Sequence, residues 1–218
     1  MLTEGVYLHK NGISPYDGDL FHETPLGLQV FSWILELSPF WIDFIFVATD
    51  MLTGILLQFL ASTFVAQAVA KEKQNKHRYA ADSQNVLLTE SQVRLVPLYV
   101  ACAYNCNPYS VLSCVGHTTT VFNNFCLALA FLSMSKGWMI FCCLGLALAT
   151  YQAFYPVMFI VPACMYLVQV KHPGKSEKHW PTVILTVTMF ITMLVYLMFI
   201  SYQITNNWAF IDATYKFM

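Results

Sequence analysis

The chain has 218 residues, of which 57% are hydrophobic and 11% charged, with a formal net charge of -1. Its mean hydropathy is +0.55. Soluble domains carry about 25% charged residues, so a soluble monomer is excluded, and the near-neutral balance without a basic face excludes a nucleic-acid binder. The chain uses lipid as its solvent. Its basic residues are clustered: Lys71, Lys73, Lys76, Arg78 and Arg94 form one group, Lys171, Lys175 and Lys178 another, and Lys136 stands in a short break. Apolar runs fill the intervals. The seven cysteines lie in or beside those runs and read as small membrane hydrophobes, not as a disulfide framework or metal set.

In chain order, residues 1–23 are polar and turn-rich and lack the pattern of a signal peptide. Residues 24–38 read as a juxtamembrane helix, with Thr24 able to cap it and Pro25 suited to its first turn, ended by Pro39. Residues 40–70 are long enough to cross a bilayer with tilt, although Asp43 and Asp50 interrupt the apolar run. Residues 71–94 form the main soluble loop. Residues 95–202 then read as a five-span helical bundle, with a basic loop at 171–180 and breaks at Asn107-Pro108 and Tyr155-Pro156. The tail, 203–218, is polar and aromatic.

The fold expected is all-α: a polytopic transmembrane bundle with crossings near 41–66, 93–112, 120–135, 138–152, 156–170 and 182–202. Several runs fall short of the ~20 residues of a perpendicular span, which a multi-helix bundle tolerates. Placing loops 71–94, 136–137 and 171–180 in the cytoplasm puts nine of the eleven basic residues inside. Both ends and the segments 107–124 and 151–156 then face the secretory lumen.

Asp43 and Asp50 are seven residues apart, on roughly one helical face, and read either as an ion or headgroup contact or as interhelical bonding near the interface. Asn107, Asn123, Asn124 and Gln152, with His117 and Thr118–Thr120, concentrate neutral donors and acceptors between apolar runs. That chemistry suits sugar hydroxyls and phosphates, and equally suits helix–helix hydrogen bonds. Asp17-x-Asp19 spells a cation-binding pair but lies in a Pro/Gly turn, where Asp serves the backbone. His22-Glu23 lacks the third group of an acid–base set. No catalytic motif, metal set or cofactor fingerprint is present, so no cofactor is expected. Gly145, Ala147 and Ala149 read as a close-packing helix face.

Four segments resemble the PIG-U family, a subunit family of the glycosylphosphatidylinositol (GPI) transamidase complex. They are Gly12-Ile-Ser-Pro-Tyr-Asp-Gly-Asp-Leu-Phe-His-Glu-Thr-Pro-Leu26, Asn107-Pro-Tyr-Ser-Val-Leu-Ser-Cys114, Leu146-Ala-Leu-Ala-Thr-Tyr-Gln152 with Tyr155-Pro156, and Trp208-Ala-Phe-Ile-Asp-Ala-Thr-Tyr215. The resemblance implies a multi-pass endoplasmic reticulum protein with a glycosyltransferase-C-like bundle. It would be a non-catalytic scaffold that helps hold the GPI lipid, while a caspase-like protease subunit does the chemistry. Ser14, Pro15, Tyr16, His22, Glu23, Thr24 and Pro25 form the luminal signature under that reading. Asp43, Asp50, Asn107, Asn123, Asn124 and Gln152 are the candidates for lipid or glycan contact. Family members run longer at both ends, so the chain reads as a fragment. The alternative is a dolichol-phosphate-mannose-dependent mannosyltransferase of GPI biosynthesis, which would carry an acidic dyad upstream of Gly12. A small transporter would show internal repeats, and none is found.

Overall fold

A computed structural model describes residues 2–18, 21–79, 87–171 and 180–216. All regular structure among the described residues is helical: α1 (Leu2–Lys10), α2 (Pro25–Leu35), α3 (Pro39–Asn75), α4 (Glu90–Asn105), α5 (Pro108–Val115), α6 (Thr120–Ser135), α7 (Met139–Gln152), α8 (Ile160–Lys171), α9 (Trp180–Thr205) and α10 (Ala209–Tyr215). Short 3₁₀ turns lie at Pro15–Asp17, Lys76–Arg78 and Tyr155–Phe159. Asp19 of the D-x-D spelling, and parts of the two basic loops at 80–86 and 172–179, lie outside the described residues.

Local chemistry explains most boundaries. The Thr24 hydroxyl accepts from the Gly27 N–H at 3.4 Å, and Pro25 occupies the first turn of α2. Pro39 begins α3 in the same way. Thr89 and Gln92 close a capping box at the start of α4. The Asn107 side chain accepts from the Tyr109 N–H at 3.0 Å, which ends the α4 run and starts α5, so residues 93–112 are two helices, not one. Gly137, at φ 74°, makes the α6–α7 turn.

Two further expectations differ from what is found. Helix α3 continues through Lys71 and Lys73 to Asn75, and α4 begins before Arg94, so the polar segment between them is shorter than 71–94. The two polar ends also carry helices, α1 and α10. In α1, Glu4 lies in the first turn and His9 and Lys10 in the last, matching the helix dipole.

Helices α3 and α4 run antiparallel, because Glu72 accepts from the Leu88 N–H at one end and Asp50 accepts from Tyr104 at the other. Helix α6 packs on α3 and on α7, α7 packs on α9, and α8 packs on α9. Gly145 permits the α6–α7 approach: a Cβ there would stand 2.8 Å from the Cys126 carbonyl oxygen and 3.0 Å from the Ala130 Cβ. Ala147 and Ala149 are fully buried along with it. One core joins Phe31, Phe46 and Val121 to Phe210; the other joins Cys143 and Leu146 to Leu167 and Phe190. Helices α3 and α9, 37 and 26 residues long, are long and apolar enough to cross a bilayer. Helices α6 and α7 have 16 and 14 residues, about 24 and 21 Å at 1.5 Å per residue, less than a ~30 Å hydrocarbon core.

Candidate functional site

The candidate residues fall into four places. The first is a cleft of about 320 Å³ between α3, α4, α5 and α6. Thr53, Tyr104, Asn107, Ser110 and Asn124 give it a polar side, and Leu57, Leu127 and Phe131 an apolar one. Behind it lies Asp50, 9% exposed, whose carboxylate accepts from the Tyr104 hydroxyl at 2.8 Å. The Asn124 amide donates to the same tyrosine oxygen at 3.5 Å. A charge-assisted bond of this kind is what lets a carboxylate remain in an apolar helix pair. Asn107 reaches the cleft, but its Oδ1 is engaged in capping α5.

Sequence reasoning missed Tyr104, Thr53 and Asn105. The available signal was Gly54, one helical turn after Asp50, because small residues mark where another helix comes close. A Cβ at Gly54 would lie 2.4 Å from the Asn105 Oδ1.

The second place is the α5–α6 turn. His117 sits at φ 49°, its Nε2 is 2.8 Å from the Asp43 Oδ1, and its ring lies 4.8 Å from that of Phe46. Asp43 therefore fastens this turn to α3, while Asp50, seven residues on along the same helix, bonds to Tyr104 instead. The pair is largely exposed. Neighbours Asn123 and Asn124 also separate, as successive residues on a helix must. Asn123 is buried and donates to the Tyr155 hydroxyl at 3.1 Å, while its Oδ1 has no partner.

The third place is a chamber of about 220 Å³ under α2, lined by Glu23, Thr24, Thr119, Phe125, Cys126, Leu148, Tyr151 and Gln152 among others. The Thr119 hydroxyl donates to Glu23 Oε1 at 3.1 Å. Burial raises the Glu23 carboxyl above the ordinary carboxylate range, while the Thr119 bond and the nearby His22 act in the opposite direction. Gln152 Oε1 is buried without a partner.

The fourth is a knot formed by three of the segments that carry the family resemblance. Tyr151 reaches from the end of α7, and its hydroxyl accepts from the Leu26 N–H at 3.1 Å and pairs with the Ser201 hydroxyl. Tyr215 of α10 donates to the Tyr151 carbonyl. His22 Nδ1 donates to the Ala213 carbonyl at 2.7 Å, and the Thr214 hydroxyl to the Glu23 carbonyl at 3.5 Å. Ser14 and Pro15 start the 3₁₀ turn that buries Tyr16. The Tyr16 ring meets Phe21 and Phe210 edge-on at 5.5 and 6.4 Å, and burial raises its hydroxyl pKa. Pro25 and Thr24 set the first turn of α2 above it. Tyr16, His22 and Glu23 are thus held by the far end of the chain. No cluster of three or more His, Cys, Asp or Glu able to hold a metal occurs among the described residues.

A family model described as GPI transamidase subunit PIG-U matches residues 1–218. The "GPI-anchor transamidase component PIGU" of Cricetulus griseus and that of Homo sapiens are each 35% identical over 222 residues, covering 100% of this chain and 50% of the relative. The "GPI transamidase component GAB1" of Saccharomyces cerevisiae is 22% identical over 217 residues, covering 98% of this chain and 45% of that protein. The chain spans about half the length of the curated relatives it matches.

Proposed function

The chain belongs to the PIG-U family, and from that premise we propose that it acts as a non-catalytic subunit of the GPI transamidase complex in the endoplasmic reticulum membrane. In this reading it packs against the partner subunits, including a caspase-like protease subunit, and offers the α3–α6 cleft to the GPI lipid. The observation that carries the lipid role is the two-sided cleft itself. The Tyr104 and Asn124 groups, ordered by Asp50, face a space whose other wall is Leu57, Leu127 and Phe131. A glycan-phosphate on a lipid needs hydrogen-bonding groups beside apolar surface, and this cleft supplies both. The names of the relatives as transamidase components support a subunit role.

The orientation proposed with it places the basic loops in the cytoplasm and residues 12–26, 107–124 and 151–156 in the lumen. Cysteine labelling in sealed microsomes tests this: residues introduced at 82 and 14 should react from opposite sides. The lipid role is tested in cells lacking the endogenous subunit, with the full-length protein carrying Asn124→Ala. Display of a GPI-anchored reporter should fall several-fold, while protein level and co-purification of the protease subunit hold. Unchanged display at unchanged protein level removes the cleft from lipid binding. Failure to recover a protease subunit removes the scaffold role.

A further inference from the structure

The chamber under α2 differs from the α3–α6 cleft in what it leaves unsatisfied. The backbone donors of the first turn of α2 are already used: Leu26 N–H on the Tyr151 hydroxyl, Gly27 N–H on Thr24 Oγ1, and Leu28 N–H on the Thr24 carbonyl. This helix start therefore has little to offer an anion. What remains on the chamber wall, besides the Gln152 amide N–H₂, is a set of acceptors. Gln152 Oε1 is buried with no partner. The Glu23 carboxylate receives one hydrogen bond, from Thr119, and no Lys or Arg among the described residues pairs with it. Thr119, having given its proton to Glu23, presents lone pairs only.

Below these acceptors the lining turns apolar, with Phe125, Cys126 and Leu148. The wall opens at Val30, which is 51% exposed on the outer side of α2. A volume of about 220 Å³ is below the ~300 Å³ at which pockets enclose a whole drug-sized ligand, but it suits a small head and the start of a chain.

We propose that this chamber binds the primary-ammonium head of a membrane lipid, with the ammonium between the Glu23 carboxylate and the Gln152 carbonyl and the chain leaving past Val30. An ammonium has three N–H donors and no acceptor. It supplies the proton that Gln152 Oε1 lacks and a direct ion pair for the Glu23 carboxylate, which otherwise has His22 nearby. A quaternary ammonium carries the same charge but no N–H, so it would leave Gln152 unpaired. The site is separate from the Asp50 cleft, and the proposal does not depend on GPI binding there.

The test uses the purified, delipidated full chain in detergent, with native mass spectrometry and thermal melting as readouts. Phosphatidylethanolamine, phosphatidylcholine and free ethanolamine are titrated separately. Phosphatidylethanolamine should bind about tenfold more tightly than phosphatidylcholine, the size of effect expected from charge-assisted N–H bonds, and more tightly than free ethanolamine. Glu23→Gln, which keeps an acceptor for Thr119, should bring the two lipids to near-equal affinity without lowering the lipid-free melting temperature. Gln152→Met should do the same and serves if the first variant does not fold. Equal affinity for the two lipids in the unaltered chain, or undiminished discrimination in both variants, overturns the proposal. Free ethanolamine binding as tightly as the lipid overturns the assignment to a membrane lipid.

Discussion

Glu23 is a carboxylate whose burial favours its neutral form. A folded-state pKa above the unfolded one means that the folded chain holds more protons through that interval. Its contribution to stability is therefore greatest below the unfolded pKa and is lost as pH rises through the folded pKa. His22, close by, opposes the shift when charged. Melting curves between about pH 4 and 7 should be flatter for Glu23→Gln than for the unaltered chain, and the variant should be at least as stable at neutral pH. Tyr104 carries the opposite risk. Tyr104→Phe removes the donor to a buried carboxylate and should cost about 1.5–3 kcal/mol. Adding Asp50→Asn should recover part of that loss in a double-mutant cycle followed by thermal unfolding. That Asp50 needs a partner was legible in the sequence, because it is a charge within an apolar run. Its partner was not, since Tyr104 lies 54 positions away and on another helix.

Among the elements, the two close helix approaches depend on glycines in different ways. A Cβ at Gly145 meets a backbone carbonyl on α6, which cannot move without the helix. A Cβ at Gly54 meets the Asn105 side-chain amide, which can swing aside. Gly145→Ala should therefore destabilise more, by about 1–3 kcal/mol, and Gly54→Ala less; unfolding of the two purified variants side by side checks the order. Asn107-Pro108 was read only as a break, but the starts of α2 and α3 were readable because their causes are local: Thr24 with Pro25, and Pro39, each act within one turn. Helix ends were less so. Lys71 and Lys73 suggest a loop by charge, yet charged residues extend a helix readily once it projects from an apolar environment. The short helices α1 and α10 escaped for a related reason, since neither has a long apolar period and each is held by contacts from distant segments.

At the scale of the molecule, the chain is tied end to end. Tyr16, His22 and Glu23 pack against α10, and α10 reaches the end of α7 through Tyr215. Phe210 is 1% exposed at the centre of this contact. Phe210→Ala should cost about 3–5 kcal/mol and expose residues 12–24 to limited proteolysis while leaving the α6–α7–α9 packing intact. Simultaneous loss of protection across all helices would show instead that the bundle unfolds as one unit. Three of the four segments that carry the family resemblance meet here, which gives them a packing role in addition to any contact with partners.

The sequence by itself determined that the chain is helical and suited to a membrane, where α2 and α3 start, and, through four separate motifs, which family it resembles. Each of these follows from residues close together in the sequence or from the overall scarcity of charge. Only the tertiary structure decided that Asp43 and Asp50 serve different partners, that Asn123 and Asn124 face different neighbours, and that Glu23 and Gln152 share one chamber. The physical reason is that a polar side chain in an apolar setting takes its role from the group that satisfies it, and that group can come from any helix brought alongside.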